Sequence, residues 1–274
     1  MPHERTAPVE TLRVTSAGEI AAGDVLAVEE PLEIRVAWRT GGEQREKPIS
    51  VTMRTPGDDF DLAAGFLFTE ALIRSGAEIE GIRVWGSPNV VRVALADGVT
   101  IDSAKLDRHF YTTSSCGVCG KTSIDAVRVI QCGAGNPAGA RTRIARSLVH
   151  RLPQLLSENQ SAFHATGGLH GAAILRPTGE LLRIREDIGR HNAVDKAIGS
   201  LVREEPESLA GAILMVSSRA SFELAQKAIV AGIGVLASVG APSTLAVDAA
   251  REFGLTLLGF VRDGRFNVYA GEVE

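Results

Sequence analysis

The residues best equipped for chemistry stand in "TTSSCGVCGK", residues 112–121. Cys116 and Cys119 lie three positions apart there among small side chains, with Lys121 close behind. The chain holds 3 cysteines, the last being Cys132. A thiol acts as nucleophile or metal ligand through its thiolate, which a neighbouring ammonium favours. Three chemistries fit this pattern. A tetrahedral metal site could draw on His109, Cys116, Cys119 and Cys132. It lacks a second CxxC pair, and "DRHFY" has no glutamate two residues after His109, as a zinc deaminase would need. Thiol–disulfide exchange suits Cys-Gly-Val-Cys, but the pair follows a polar loop in mid-chain instead of opening a helix after the first strand of a βαβ unit. Sulfur or acyl carriage needs a thiolate on an unobstructed loop, and Ser114, Ser115, Gly117 and Gly120 provide that setting. The second thiol could then attack a persulfide on the first and expel its terminal sulfur. Inert packing is the remaining alternative, and nothing bulky surrounds the two thiols to support it.

A second group of residues suits anions. "SSRAS", "VGAPS" and "FVRDGR" each follow an apolar run, "AILMVS", "GVLASV" and "LTLLGFVR". Small residues let backbone amides approach phosphate oxygens, and arginines add bidentate contacts. Arg219, Ser221, Arg262 and Arg265 are the candidates, with Ser221 and Ser243 as possible helix caps. No glycine-rich dinucleotide fingerprint or P-loop accompanies them, so simple capping with solvated arginines competes with ligand binding. "REDIGRHNAVDKAIG" is denser still, with Arg185, Glu186, Asp187, Arg190, His191, Asn192, Asp195 and Lys196. A solvated helix start is its default explanation. His164 and His170 in "HATGGLHGA" could join it to floor a polar pocket or a subunit interface.

These groups need a frame. Over the last ninety or so residues, continuous apolar strands alternate with the helical stretches "SFELAQKAIVAG" and "STLAVDAAREFG". That pattern means βαβ units around a parallel sheet covered on both faces, with ligands beyond the carboxyl ends of its strands. "GAAILRPTGELLRIRED" reads as a hairpin turning at Pro177-Thr178-Gly179, and a helical stretch before it ends near Pro153. Upstream, "LEIRVAW" and "ISVTMRT" form a hairpin around the loop "TGGEQREK". Phe60, Ala63, Ala64, Leu67 and Ala71 then recur at helical spacing behind an N-cap at Asp58 or Asp59, and "GIRVWG" and "NVVRVAL" return to strands. The fold class is α/β. Residues 1–28 are expected as a flexible tail, 29–137 as a β-rich mixed domain holding the CxxC loop, and 138–274 as the α/β domain, with the boundary in "AGNPAGAR".

Composition narrows the function. With 274 residues and a net charge of −4, the chain can bury a large core and is a poor match for broad binding to nucleic acid or anionic membrane. No run approaches the roughly 18 apolar residues of a membrane span. "MPHERTAPVE" is not a secretory signal, and the sparse cysteines are not a secreted disulfide framework. The cytoplasm is the expected compartment.

"SSCGVCGK", "TGGLH", "REDIGRHNAVDK", "SSRASFELAQK", "APSTLAV" and "LLGFVRDGRFNVY", with "RTPGDDFDLAAGFLFTEALI" before them, resemble the formate dehydrogenase accessory sulfurtransferases, the FdhD family. The resemblance covers roughly residues 48 to 270 in order. It implies a protein that takes sulfur from a cysteine desulfurase and passes it to the bis-molybdopterin guanine dinucleotide form of the molybdenum (or tungsten) cofactor, destined for formate dehydrogenase. It further implies Cys116 as the persulfide-bearing residue assisted by Cys119, and a cofactor contact along Phe260, Val261, Arg262, Asp263, Gly264 and Arg265. A cytidine-deaminase-like three-layer carboxyl-terminal domain without its zinc, and a homodimer, complete the expectation. A cofactor-binding chaperone that transfers no sulfur, and a zinc-dependent deaminase-like enzyme, are the alternatives.

Overall fold

The computed structural model describes residues 4–101 and 142–274. The thiol loop with Cys116 and Cys119, together with His109, Lys121, Cys132 and the expected boundary near residue 137, lies outside the described residues. Where a flexible tail was expected, β1 (Thr6–Thr15) and β2 (Gly18–Ala27) pair as an antiparallel hairpin. Its alternation was hard to read because Leu12, Val14, Ile20 and Leu26 stay exposed, so no buried face separates apolar from polar positions.

β3 (Glu30–Thr40) and β4 (Glu43–Arg54) are the expected hairpin, although the turn is only Gly41-Gly42 and most of "TGGEQREK" is strand. Both glycines have positive φ, 61° and 82°, as a two-residue hairpin turn requires. With β5 (Ile79–Trp85) and β6 (Ser87–Leu95) they form a mixed sheet in the order β4-β3-β6-β5. α1 (Asp59–Thr69) crosses one face and buries Leu62, Ala63 and Leu67 against Leu32, Ile34, Val36, Val91 and Val93. It stops before Ala71, which was expected on the helix and instead has a φ of 54°. Asp58 precedes the helix in the left-handed region and makes no side-chain cap.

The second sheet runs β12-β11-β10-β9-β7-β8. Its members are β7 (His170–Leu175), β8 (Leu181–Asp187), β9 (Ile213–Val216), β10 (Val235–Ser238), β11 (Thr256–Arg262) and β12 (Arg265–Ala270). β9, β10 and β11 are parallel, while β7 runs against both β8 and β9. The connecting helices α4 (Arg190–Glu204), α5 (Phe222–Val230) and α6 (Thr244–Phe253) share one core with the sheet face they cover. Same-handed crossovers in one direction place all three on that face. The other face packs on α2 (Arg146–Ser157) through Leu148, Val149, Leu152 and Leu156. Burial of those side chains, each worth roughly 1.5–3 kcal/mol, carries α2 past Pro153, where the sequence pattern had ended it. A short helix, α3 (Ser161–Thr166), forms within the expected polar connector. The result is an α/β unit of three layers beside the smaller mixed sheet.

α1 and α4 meet at backbone contact. A methyl group on Gly65 would overlap the Asp195 carbonyl, and one on Gly199 would overlap the Asp61 carbonyl. Only glycine permits that approach, and it locks the small sheet to the large one.

Candidate ligand-binding edge

β9, β10 and β11 end on one edge of the large sheet, as the sequence pattern anticipated, and β8 ends there too. Backbone bonds stitch the last three ends together: Gly240 N donates to Ser218 O (3.2 Å), Ser243 N to Ala220 O (3.0 Å) and Phe260 N to Gly240 O (3.0 Å). Ser238 Oγ lies 3.0 Å from Gly240 O and 3.2 Å from Leu258 O, fixing the turn after β10. Side chains at Gly240 and Gly259 would crowd Arg219 and Pro242 respectively, so glycine keeps the edge low. Arg219 is exposed on this surface.

The two serines expected as caps differ. Ser243 Oγ accepts from Ala246 N at 3.2 Å and caps α6. Ser221 occupies the same position before α5 with extended backbone, yet caps nothing; its Oγ is buried without a hydrogen-bond partner.

The segment 260–265 is a hairpin turn, which its reading as a plain strand end did not capture. Arg262 pairs with Arg265 across Asp263 and Gly264, whose φ values are 53° and 69°. Two left-handed residues of the Asp-Gly type make the turn that matches strand twist. The arginines therefore flank the turn, exposed, with the Arg262 guanidinium 5.9 Å from the Phe260 ring centre. Phe260 has a φ of 54° where β11 is irregular. A bulky residue in that region is strained, and its ring is half-buried at the edge. Val261 points the other way, its side chain in the core, so it offers a ligand only backbone.

"REDIGRHNAVDK" is not the solvated helix start that charge density suggested. Asp187 and Lys196 are fully buried and paired at 2.7 Å. Lys196 Nζ also donates to Thr55 O (2.7 Å), while Asp187 accepts from Thr55 N (3.2 Å), Gly189 N (2.8 Å) and Asn192 Nδ2 (3.1 Å). Glu186 accepts from Ala162 N and Phe163 N at the start of α3. Arg185 pairs with Asp61 on α1 at 2.8 Å. Asp195 meets Lys227 at 2.9 Å and accepts from Thr69 Oγ1 at 2.8 Å. Burial pushes the Asp195 carboxyl up. Burial alone would lower the Lys227 ammonium, but Asp195 and Glu70 outweigh it, so Lys227 is raised and stays charged. The motif is chiefly an internal clasp between the two sheets.

Two of its residues take no part in that clasp. β7 runs antiparallel to its neighbours, so no helix leaves it on this edge, between the starts of α4 and α5. His170 begins β7 there; burial and the Arg190 guanidinium hold its pKa below the usual value. His191 is lowered to about 4 by burial, then by Lys227 and Arg190, so it is neutral at neutral pH. Arg190 Nε and His191 Nε2 are buried without partners, like Ser221 Oγ. His164 is elsewhere, bonded to Ser157 O at 2.8 Å from α3. Sequence reasoning grouped His164 and His170 with the charged segment; the structure keeps His170 beside Arg190 on this edge and holds His164 apart on α3. Among the described residues, no group of three or more His, Cys, Asp and Glu could hold a metal ion, and no helix is long and apolar enough to cross a membrane.

Fold and edge together define an α/β protein whose strand ends, small-residue turns and arginines suit a phosphorylated ligand. The chain belongs to the FdhD/NarQ family, whose model matches residues 27–274. It is 48% identical over 271 residues to the sulfur carrier protein FdhD of Streptomyces avermitilis, covering 96% of this chain and 93% of that one. The protein of the same name from Mycobacterium tuberculosis is 46% identical over 261 residues, 91% of each chain. That from Sulfolobus acidocaldarius is 39% identical, with 95% of each chain covered. A crystal structure described as a formate dehydrogenase accessory protein from Desulfotalea psychrophila shares the fold, with a TM-score of 0.73 at 21% identity over 98% of both chains.

Proposed function

We propose that this protein is a sulfur carrier for formate dehydrogenase. The Cys116 thiolate attacks the outer sulfur of a persulfide on a cysteine desulfurase. The desulfurase thiolate leaves, and Cys116 keeps the sulfur as its own persulfide, with no net oxidation. The acceptor is the bis-molybdopterin guanine dinucleotide form of the molybdenum (or tungsten) cofactor, which is substrate here. If Cys119 attacks Cys116 Sγ, hydrosulfide leaves for the acceptor and a disulfide forms, which external thiols reduce before the next cycle. The cofactor lies along the strand edge, with Arg219, Ser221 and the turn from Phe260 to Arg265 in contact. Both thiols lie outside the described residues, so their part rests on sequence.

The observation that carries this reading is the match, over more than nine-tenths of the chain, to proteins named for sulfur carriage. The strand edge supports the ligand half, since amides and guanidinium groups suit pyrophosphate. We further read the three-layer unit as cytidine-deaminase-like, on its helix layers and strand order, and the protein as a cytoplasmic homodimer, from the family resemblance. Incubation with a cysteine desulfurase and cysteine is expected to add about 32 Da, one sulfur atom, to the peptide holding Cys116. An unmodified peptide under productive conditions, or full support of formate dehydrogenase by Cys116→Ala, would leave the cofactor-binding chaperone as the better description.

A further inference from the structure

The geometry points to a second anion-binding site on this edge: the notch between α4 and α5, walled by Arg190, His191 and Ser221 and floored by His170, binds a phosphoryl group. The argument starts from unmade hydrogen bonds. Among the described residues, three of the buried side-chain polar atoms without partners belong to Arg190, His191 and Ser221. Leaving such atoms unsatisfied is costly, and native structures seldom do so without a reason such as a bound ion.

Their charge state selects the ion. No carboxylate pairs with Arg190 among the described residues, and His191 feels Lys227 and Arg190 as repulsive neighbours more strongly than it feels Glu223 and Glu70 as attractive ones. His170 feels Arg190 in the same way, with Asp187 acting more weakly against it. The notch therefore sets one unpaired guanidinium beside a hydroxyl and two imidazoles disposed to stay neutral, which can donate to an oxyanion without competing for charge. Free amides at the starts of two helices of 15 and 9 residues border it and add to the same preference. Three strand spacings separate β7 from β11, so the notch lies about 14 Å from the turn at 262–265. That span suits an extended ligand bearing more than one phosphoryl group. Only this assignment of ligand rests on the proposed function; occupation of the notch by an oxyanion does not.

Inorganic pyrophosphate is the probe, followed by the imidazole NMR signals of His191 and by calorimetry on the full chain. Saturable movement of the His191 signals is expected, with affinity falling about tenfold or more in Arg190→Gln and unchanged in Arg251→Gln, on the exposed end of α6. Should Arg190→Gln fail to fold by circular dichroism, Ser221→Ala is read instead, with a loss of about threefold expected. Still His191 signals, or parental affinity in the variant that is read, overturn the inference. Sulfur loading of Cys116 is scored separately, so failure here and failure of the carrier reading are distinguishable.

Discussion

Phe260 combines an aromatic side chain with a φ of 54°. The left-handed conformation costs an ordinary L-residue roughly 1–2 kcal/mol, and glycine almost nothing. Phe260→Gly should therefore leave thermal stability equal or raise it by about 1 kcal/mol, and under the proposed cofactor contact guanine-nucleotide affinity should fall because the half-exposed ring is lost. Thermal melts and nucleotide titration of the same variant check the pair, and a large drop in melting temperature would mean that the ring serves packing. His191 yields a prediction about pH. Lys227 and Glu223 from α5, Arg190 from α4 and Glu70 after α1 surround it, and burial dominates in lowering its pKa from 6.5 to about 4. Between those values the unfolded chain binds a proton that the folded chain refuses. Its contribution is thus complete above about pH 6.5 and is lost as pH falls toward 4, by up to about 3 kcal/mol. Denaturant midpoints from pH 7 to 4 should fall less steeply in His191→Gln. Arg219, Arg262 and Arg265 were legible in the sequence because short turns after apolar runs mark a sheet edge. The idle Ser221 hydroxyl was not, since Ser221 and Ser243 open helices in similar text and only packing tells them apart.

The elements were legible where burial is one-sided or complete, as in β3, β6 and β9 to β11. Reading failed where tertiary partners decide. The carboxylates of "REDIGRHNAVDK" look solvated in sequence because their partners are far away: Thr55 N is 132 positions from Asp187, and Thr69 lies 126 positions from Asp195. The β1–β2 hairpin went unseen for the opposite reason, having no buried face to set a pattern. α1 shows what the helix period alone misses. Its phenylalanines and leucines predict a core face, but Gly65 on the other side decides how α1 meets α4. Gly65→Ala should destabilise by about 3 kcal/mol or more, since the added methyl meets backbone that cannot rotate away. Gly81→Ala on β5, where nothing lies within 4 Å, should stay within about 0.5 kcal/mol. Urea unfolding of the two variants measures the contrast, and equal losses would show that α1 and α4 can slide apart cheaply.

At the scale of the molecule, the question is whether the two sheets unfold as one. Phe68 packs against both the core under the small sheet and the core under α4 to α6. Lys227 on α5 joins Asp195 on α4 to Thr69 and Glu70 at the end of α1. Under the proposed function such a rigid frame is useful, because relative motion of the sheets would scatter the geometry in which sulfur meets a ligand on the strand edge. The chain supplies its own reporters. Both of its tryptophans, Trp38 and Trp85, sit in the small sheet, on β3 and β5, whereas most of its helix belongs to the large one. Tryptophan fluorescence and far-ultraviolet circular dichroism should therefore give coincident urea curves for the parent protein, the mark of one cooperative transition. Lys227→Met removes the cation and leaves Asp195 buried beside Glu70, which should cost about 3–5 kcal/mol. Because that loss falls on the seam, the fluorescence and dichroism curves should separate as well as shift. A shift without separation would place the cooperativity in the glycine contact of α1 with α4 alone, and the salt bridge would then be a contributor to stability with no part in joining the sheets.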